Sequence, residues 1–316
     1  MQTILDLGSD VDSRSIVIAC AAHSFAARRI ANERHAIRAW LRDVPRGSRL
    51  GLEATGSYHE LLADLAHAAG LQVFVLNARD VRRYAQGVGQ RGKTDRIDAE
   101  VIARYVAREH AELHTYTPPS KQQRALSRLI KRRAKLVVIK GTLMQSLRAL
   151  PGVQRELRQI TTRLDRLISQ IEALMQRALQ QLPAAQQAAQ HIATIPGYGR
   201  LGSTCLGHTF TRLPFASSDA VVAHTGFDPR PDDSGKRHGR RRLSKRGPGE
   251  TRRILFNCAM SAAKTKLWRP YYQAQRTKGL SSTAAIVILA RKMLRIAFAL
   301  YKHNQPFDPA RVHTTA

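Results

Sequence analysis

The chain has 316 residues, with 52 Lys+Arg against 23 Asp+Glu, a formal net charge of +29 and 43% hydrophobic residues. That is the composition of a folding chain of two or three domains, and a surplus of this size attracts polyanions, nucleic acid first and an anionic membrane surface second. No signal peptide or membrane helix is expected, since apolar runs such as residues 284–290 stop at Arg291 and Lys292, so the location should be cytoplasmic.

The first hundred residues alternate strand and helix signals: an apolar stretch over residues 3–7, the β-branched run Ser15–Cys20, a helical pattern over 33–44 and the short strand Arg49–Glu53. An amphipathic helix around Leu61, Leu62, Leu65 and Ala68 follows, then a strand over 71–76 and a helix from Asp95 to about His110. This predicts an α/β domain over residues 1–117, broken off by Pro118-Pro119. A helix over residues 121 to about 150 then carries Lys121, Arg124, Arg128, Lys131, Arg132, Arg133 and Lys135 with no acid of its own, a candidate phosphate-binding face or a solvated one. From Leu157 the spacing turns heptad, with Leu157, Ile160, Leu164, Leu167, Ile171, Leu174 and Ala178 at alternating a and d positions, which predicts a coiled coil or helical hairpin over 118–183.

Pro183 and a Gln/Ala-rich stretch read as a linker into a mainly α-helical third segment, residues 184–316. It opens on Ile195-Pro-Gly-Tyr-Gly199, similar to the hairpin of helix-hairpin-helix units, and contains a long loop-like stretch at 227–249. Its last helix, Ser282 to about His303, reads as core. Three scattered cysteines support neither a disulfide framework nor a zinc ribbon.

Four acids suit metal chemistry. Asp10 follows an apolar strand, Glu53 ends another, and Asp95 and Asp98 share a face at a helix start, so four hard oxygen donors can converge on one or two Mg²⁺ ions. The alternative assigns Asp95 to the N-cap and Asp98 to N3, and leaves Asp10 and Glu53 as turn residues, while Asp12 competes with Asp10. Gly87-Val-Gly89-Gln-Arg-Gly92 matches a dinucleotide fingerprint in letters only, because no strand precedes it.

The order of motifs resembles a family. Leu-Gly-Ser-Asp10-Val, Glu53-Ala-Thr-Gly-Ser-Tyr58, Lys93-Thr-Asp95-Arg-Ile-Asp98-Ala99, the 195–199 hairpin and Asp233-Ser234-Gly235 are together similar to the DEDD insertion-sequence transposases known as bridge-RNA-guided recombinases. The resemblance implies a RuvC-like, ribonuclease-H-type N-terminal domain, a coiled coil that mediates assembly, and a C-terminal transposase domain. It implies Asp10, Glu53, Asp95 and Asp98 as metal-binding catalytic acids, Ser234 as nucleophile, and a structured noncoding guide (bridge) RNA that pairs with donor DNA and target DNA. It also implies a dimer that pairs into a tetramer.

A serine hydroxyl needs a base, a metal or electrostatic help to attack a phosphate. Asp232 and Asp233 adjoin Ser234, and Lys236, Arg237, Arg240, Arg241, Arg242, Lys245 and Arg246 follow it; Ser244 is a second candidate nucleophile. Two other functions compete: a RuvC-like Mg²⁺-dependent nuclease that uses water, and a non-enzymatic nucleic-acid-binding assembly protein.

Overall fold

The computed structural model describes residues 3–22, 26–54, 56–231, 233–234, 237–239 and 241–311, with Arg237 and His238 described by backbone alone. The chain forms two compact units, Met1–Pro118 and Pro119–Ala316.

In the first unit, β1 (Asp6–Val11), β2 (Ser15–Cys20), β3 (Arg28–Ala31), β4 (Arg49–Glu53) and β5 (Gln72–Leu76) make a mixed sheet in the order β3-β2-β1-β4-β5. The first three strands run antiparallel in turn, whereas β4 pairs parallel with both β1 and β5. The parallel pairings require crossover connections, supplied by α1 (Arg34–Leu41) and α2 (His59–Ala68). Ile37, Trp40, Leu41, Leu62, Ala63 and Ala66 of these helices pack with Leu7, Ile16, Ile18, Leu50, Leu52 and Val73 of the sheet. After β5 come α3 (Ala78–Gly87) and α4 (Asp95–Glu109).

Two glycines set α4 against the sheet. A Cβ on Gly8 would lie 2.2 Å from both Ala103 N and Ala99 O, and one on Gly51 would lie 2.4 Å from Val106 Cγ2. Gly8 and Gly51 are register partners, so a side-chain-free trough runs across two neighbouring strands, filled by the α4 backbone at Gly8 and by the Ile102 and Val106 side chains at Gly51.

The second unit begins with a helical hairpin of α5 (Lys121–Ser146) and α6 (Gln154–Gln180). Ser120 and Gln123 form a reciprocal capping box at the start of α5. Leu157, Ile168, Met175 and Leu179 of α6 are buried, but Ile160, Leu167 and Leu174, seven residues apart, are 46%, 42% and 45% exposed. Of the two heptad series, Leu157 is buried and Leu164, Ile171 and Ala178 are half-buried, whereas Ile160, Leu167 and Leu174 stay exposed among the described residues.

The stretch read as a linker is a helix, α7 (Pro183–Ala193), with Pro183 in its first turn. Ala185, Ala188 and Ala189 form a buried stripe of small residues at helical spacing, continued by Ile192. They let α8 (Arg200–Arg212) approach so closely that a Cβ on Gly207 would lie 2.5 Å from Ala185 O. The 195–199 turn joins these helices with Gly197 at φ +106°, where a Cβ would lie 2.4 Å from Ala262 Cβ; packing against α10 (Gly249–Ala262) accounts for that glycine. Helices α9 (Ser218–Thr225), α11 (Arg269–Thr277) and α12 (Ser282–His303) complete the unit around Leu206, Phe210, Leu255, Trp268, Leu289 and Leu294. Among the described residues no helix is long and apolar enough to cross a membrane.

Candidate active site

Strand alternation decides where the acids point. Gly8 and Asp10 lie two apart on β1, as Gly51 and Glu53 do on β4, so both carboxylates share the sheet face that carries α4. Ser9, between them, is fully buried on the other face and donates to Gly51 O at 3.2 Å. Asp95 and Asp98 stand in the first turn of α4, just before Ala99.

The four acids share one electrostatic environment. The pKa of Asp10 is pushed up to about 6, first by burial and then by the charges of Asp98, Asp95 and Glu53, with Lys93 opposing. Asp98 is also raised, chiefly by burial, against Lys93. Asp12 lies instead on the exposed turn after β1, where its amide donates to Ser15 O at 2.9 Å, and it is not among the charges that bear on Asp10.

The N-cap alternative for Asp95 is corrected by the fold. Thr94 is the cap, its side chain accepting from Ile97 N at 3.2 Å, which makes Asp95 the first helical residue and leaves neither Asp95 nor Asp98 in a capping role. Asp95 pairs with Arg29 of β3 at 2.7 Å, and Arg29 also donates to Ser15 Oγ at 2.8 Å. This arginine was not a sequence candidate; its strand, Arg-Arg-Ile-Ala, has too little apolar alternation to be read.

Among the described residues no group of three or more His, Cys, Asp or Glu side chains is drawn together closely enough to hold a metal ion. The donor set still suits a hard divalent cation: it offers oxygen ligands alone, and the ionised form of Asp10 is one that added positive charge would stabilise.

In the second unit the 227–249 stretch is a twice-paired hairpin. β6 (Pro229–Arg230) pairs with β9 (Arg242–Leu243), and within it β7 (Asp233–Ser234) pairs with β8 (Arg237–His238). Ser234 is exposed and lies opposite Arg237, while the carboxylate of Asp233 is 3.6 Å from Arg241. Ser244 differs from it: it is 6% exposed and its hydroxyl donates to Asp228.

Comparison with known proteins places the chain in a family. A family profile described as "Transposase", for DEDD enzymes of the IS110 type, matches residues 7–150, and the "Transposase IS116/IS110/IS902 family" profile matches residues 189–273. A "Pilin gene-inverting protein" of Moraxella bovis is 30% identical over 274 residues, covering 83% of this chain and 82% of that protein.

The chain belongs to the IS110-type DEDD transposase family.

The "Transposase for insertion sequence element IS1328" of Yersinia enterocolitica is 28% identical over 280 residues, covering 76% of this chain and 79% of that protein. Family membership makes the chain a DNA strand-cleaving and strand-transferring enzyme of the kind that uses divalent metal.

The basic residues of this transposase divide by surroundings. On α5, Lys121, Arg128, Lys131, Arg132 and Lys135 are exposed and Arg124 is half-buried. Arg133 turns toward α6 and pairs with Glu172 at 2.7 Å, and Lys140 pairs with Asp165 at 2.6 Å, so the acids missing from α5 come from its neighbour. In the hairpin Arg241, Arg242, Lys245 and Arg246 are exposed. Lys236 and Arg240 lie outside the described residues, as do Asp232, Gly235 and the side chain of Arg237.

Proposed function

We propose that this transposase is an RNA-guided DNA recombinase that cuts and exchanges donor and target DNA strands through a covalent phosphoserine on Ser234. The observation that carries the reading is the shared field of Asp10, Glu53, Asp95 and Asp98 on one face of the sheet, in a member of the DEDD family. The strand order β3-β2-β1-β4-β5, with its antiparallel first three strands, supports a RuvC-like, ribonuclease-H-type domain.

In the reaction the Ser234 hydroxyl oxygen bonds to the scissile phosphorus as the bond from phosphorus to one deoxyribose oxygen breaks. The hydroxyl proton passes to a carboxylate, and the departing oxygen takes up a proton. The phosphoserine ester keeps the bond energy until the hydroxyl of the incoming strand attacks it and releases Ser234. Asp10, Glu53, Asp95 and Asp98 would hold a divalent cation such as Mg²⁺, which would stabilise the charge that builds on the phosphate oxygens. Arg241, Arg242, Lys245 and Arg246 neutralise the same phosphate or its neighbours.

Base pairing by a bridge RNA selects the sites, so the protein needs phosphate contacts more than base contacts, and the exposed cations of α5 serve that need. The exposed series Ile160, Leu167 and Leu174 supports assembly into a dimer that pairs into a tetramer, in which the carboxylates of one subunit complete the serine site of another.

Sequencing the RNA that copurifies with the protein tests the guidance. A single structured species is expected; bulk cellular RNA alone contradicts it. Asp98→Asn should stop cleavage and spare RNA binding, and undiminished Mg²⁺-dependent recombination in that variant would remove the metal assignment.

A further inference from the structure

The last helix is only partly core. One side of α12 is buried through Ala285, Leu289, Met293, Leu294 and Ala297, but facing α11 it lines a cavity of about 260 Å³ with Tyr271, Ile288, Arg291, Lys292, Arg295 and Ile296. Three cations therefore share one small notch. Lys292 Nζ lies 4.1 Å from the centre of the Tyr271 ring, and Arg295 is held by Asp219 through contacts of 2.8 and 3.2 Å. Arg291 Nε is buried with no hydrogen-bond partner among the described residues. Burial, and then the charge of Arg295, hold the Arg291 guanidinium below its ordinary pKa against the weaker pull of Tyr271, Asp219 and Asp228; burial does the same to Lys292. An anion in the notch would relieve both.

Beside the notch, sharing Lys292 and Ile296, is a second cavity of about 360 Å³. Its walls include Leu300, Pro306 and Phe307, with Gln305 and the ion pair of Asp308 and Arg311 as polar groups beside Lys292. Phe307 is fixed there, its amide donating to Thr194 Oγ1 at 2.8 Å and its ring packing at 6.1 Å from that of Trp268. A cationic notch adjoining a preformed apolar cavity is the shape of a site for a ligand that is anionic at one end and flat and apolar at the other.

We propose that notch and cavity together seat one unpaired nucleotide of a nucleic-acid strand, with its phosphate against Arg291, Lys292 and Arg295 and its base in the cavity beside Phe307. A base held in a duplex cannot enter a cavity of this kind, so the site takes single-stranded segments, DNA or RNA. The inference rests on the nucleic-acid reading above and adds to it a place where one base leaves the stack.

The test is fluorescence anisotropy on the full-length protein with four labelled probes: a single DNA strand, an RNA strand of the same sequence, the DNA strand with abasic residues, and a DNA duplex of equal length. Arg291→Gln should weaken single-strand binding about tenfold and leave duplex binding unchanged. Ala299→Phe, at an exposed position on the cavity wall, should weaken binding of strands that carry bases and leave the abasic strand unaffected. Loss confined to the DNA or to the RNA arm identifies the natural strand and supports the site. Unchanged affinity of both variants for both strands, or an equal loss on the duplex, overturns it. Failure of the broader reading looks different, because the wild-type protein would then bind none of the four probes.

Discussion

The hydroxyl of Ser244 donates to the carboxylate of Asp228 across the base of the basic hairpin, so two serines in one loop have opposite surroundings. Ser244 is buried and tied to the fold, and Ser234 is exposed at the paired tip. Ser244→Ala should cost about 1–2 kcal/mol of stability, because a half-buried carboxylate loses its donor and the buried Ser244 site loses its hydrogen bond. Urea melts of the two alanine variants check this: Ser244→Ala shifts the midpoint and Ser234→Ala does not.

Gly8 is the position where the first unit has least room. Gly8→Ala puts a Cβ 2.2 Å from backbone atoms of α4, which have no rotamer to move, so the helix must lift away from β1. A loss of about 3 kcal/mol or more is expected, together with loss of DNA cleavage as Asp98 withdraws from Asp10. Thermal melting and a cleavage assay on the folded fraction measure the two effects, and a variant with wild-type stability would contradict the trough.

The coarse architecture was legible because its strands are β-branched and its long helices periodic. What escaped did so for physical reasons. The stripe of α7 is built from Ala185, Ala188 and Ala189, whose weak hydrophobicity left a composition that reads as a linker, although their small size is what permits the contact with α8. Four carboxylates stood out in the sequence, but the counter-charge on Asp95 comes from Arg29, 66 residues away, and only the antiparallel β2–β3 pairing brings it there. The heptad pattern was visible as a whole; which of its two series the chain covers internally depends on how α6 rotates against α5.

His208 and His224 make the second unit sensitive to acid. Burial, and then the charge of Arg212, hold both pKa values down to about 4 from an ordinary 6.5. Each is neutral when folded, and His208 shares a 2.7 Å hydrogen bond with Ser127. The unfolded chain takes up a proton as pH falls through 6.5 and the folded chain does so only near 4, so stability is full above 6.5 and is lost as pH falls toward 4. Up to about 2 kcal/mol per histidine should disappear between pH 7 and 5. Urea melts at the two pH values should show a smaller difference in His208→Gln and His224→Gln than in the wild type; an unchanged difference would contradict this origin.

Replacing Ile160, Leu167 and Leu174 together by Ser should break assembly without unfolding the chain, since all three are exposed in the single chain. Sedimentation should show the triple variant as a smaller species than the wild type, with stability changed by no more than about 0.5 kcal/mol per substitution. An identical assembly state in both would move the interface elsewhere.

Mass spectrometry of the DNA-linked protein after reaction with a cleavable donor duplex, guide RNA and Mg²⁺ decides the chemistry. The phosphoserine mechanism predicts a nucleotide remnant on the peptide containing Ser234, absent from Ser234→Ala and present in Ser244→Ala. Cleavage with no adduct, or an adduct that persists in Ser234→Ala, would contradict it.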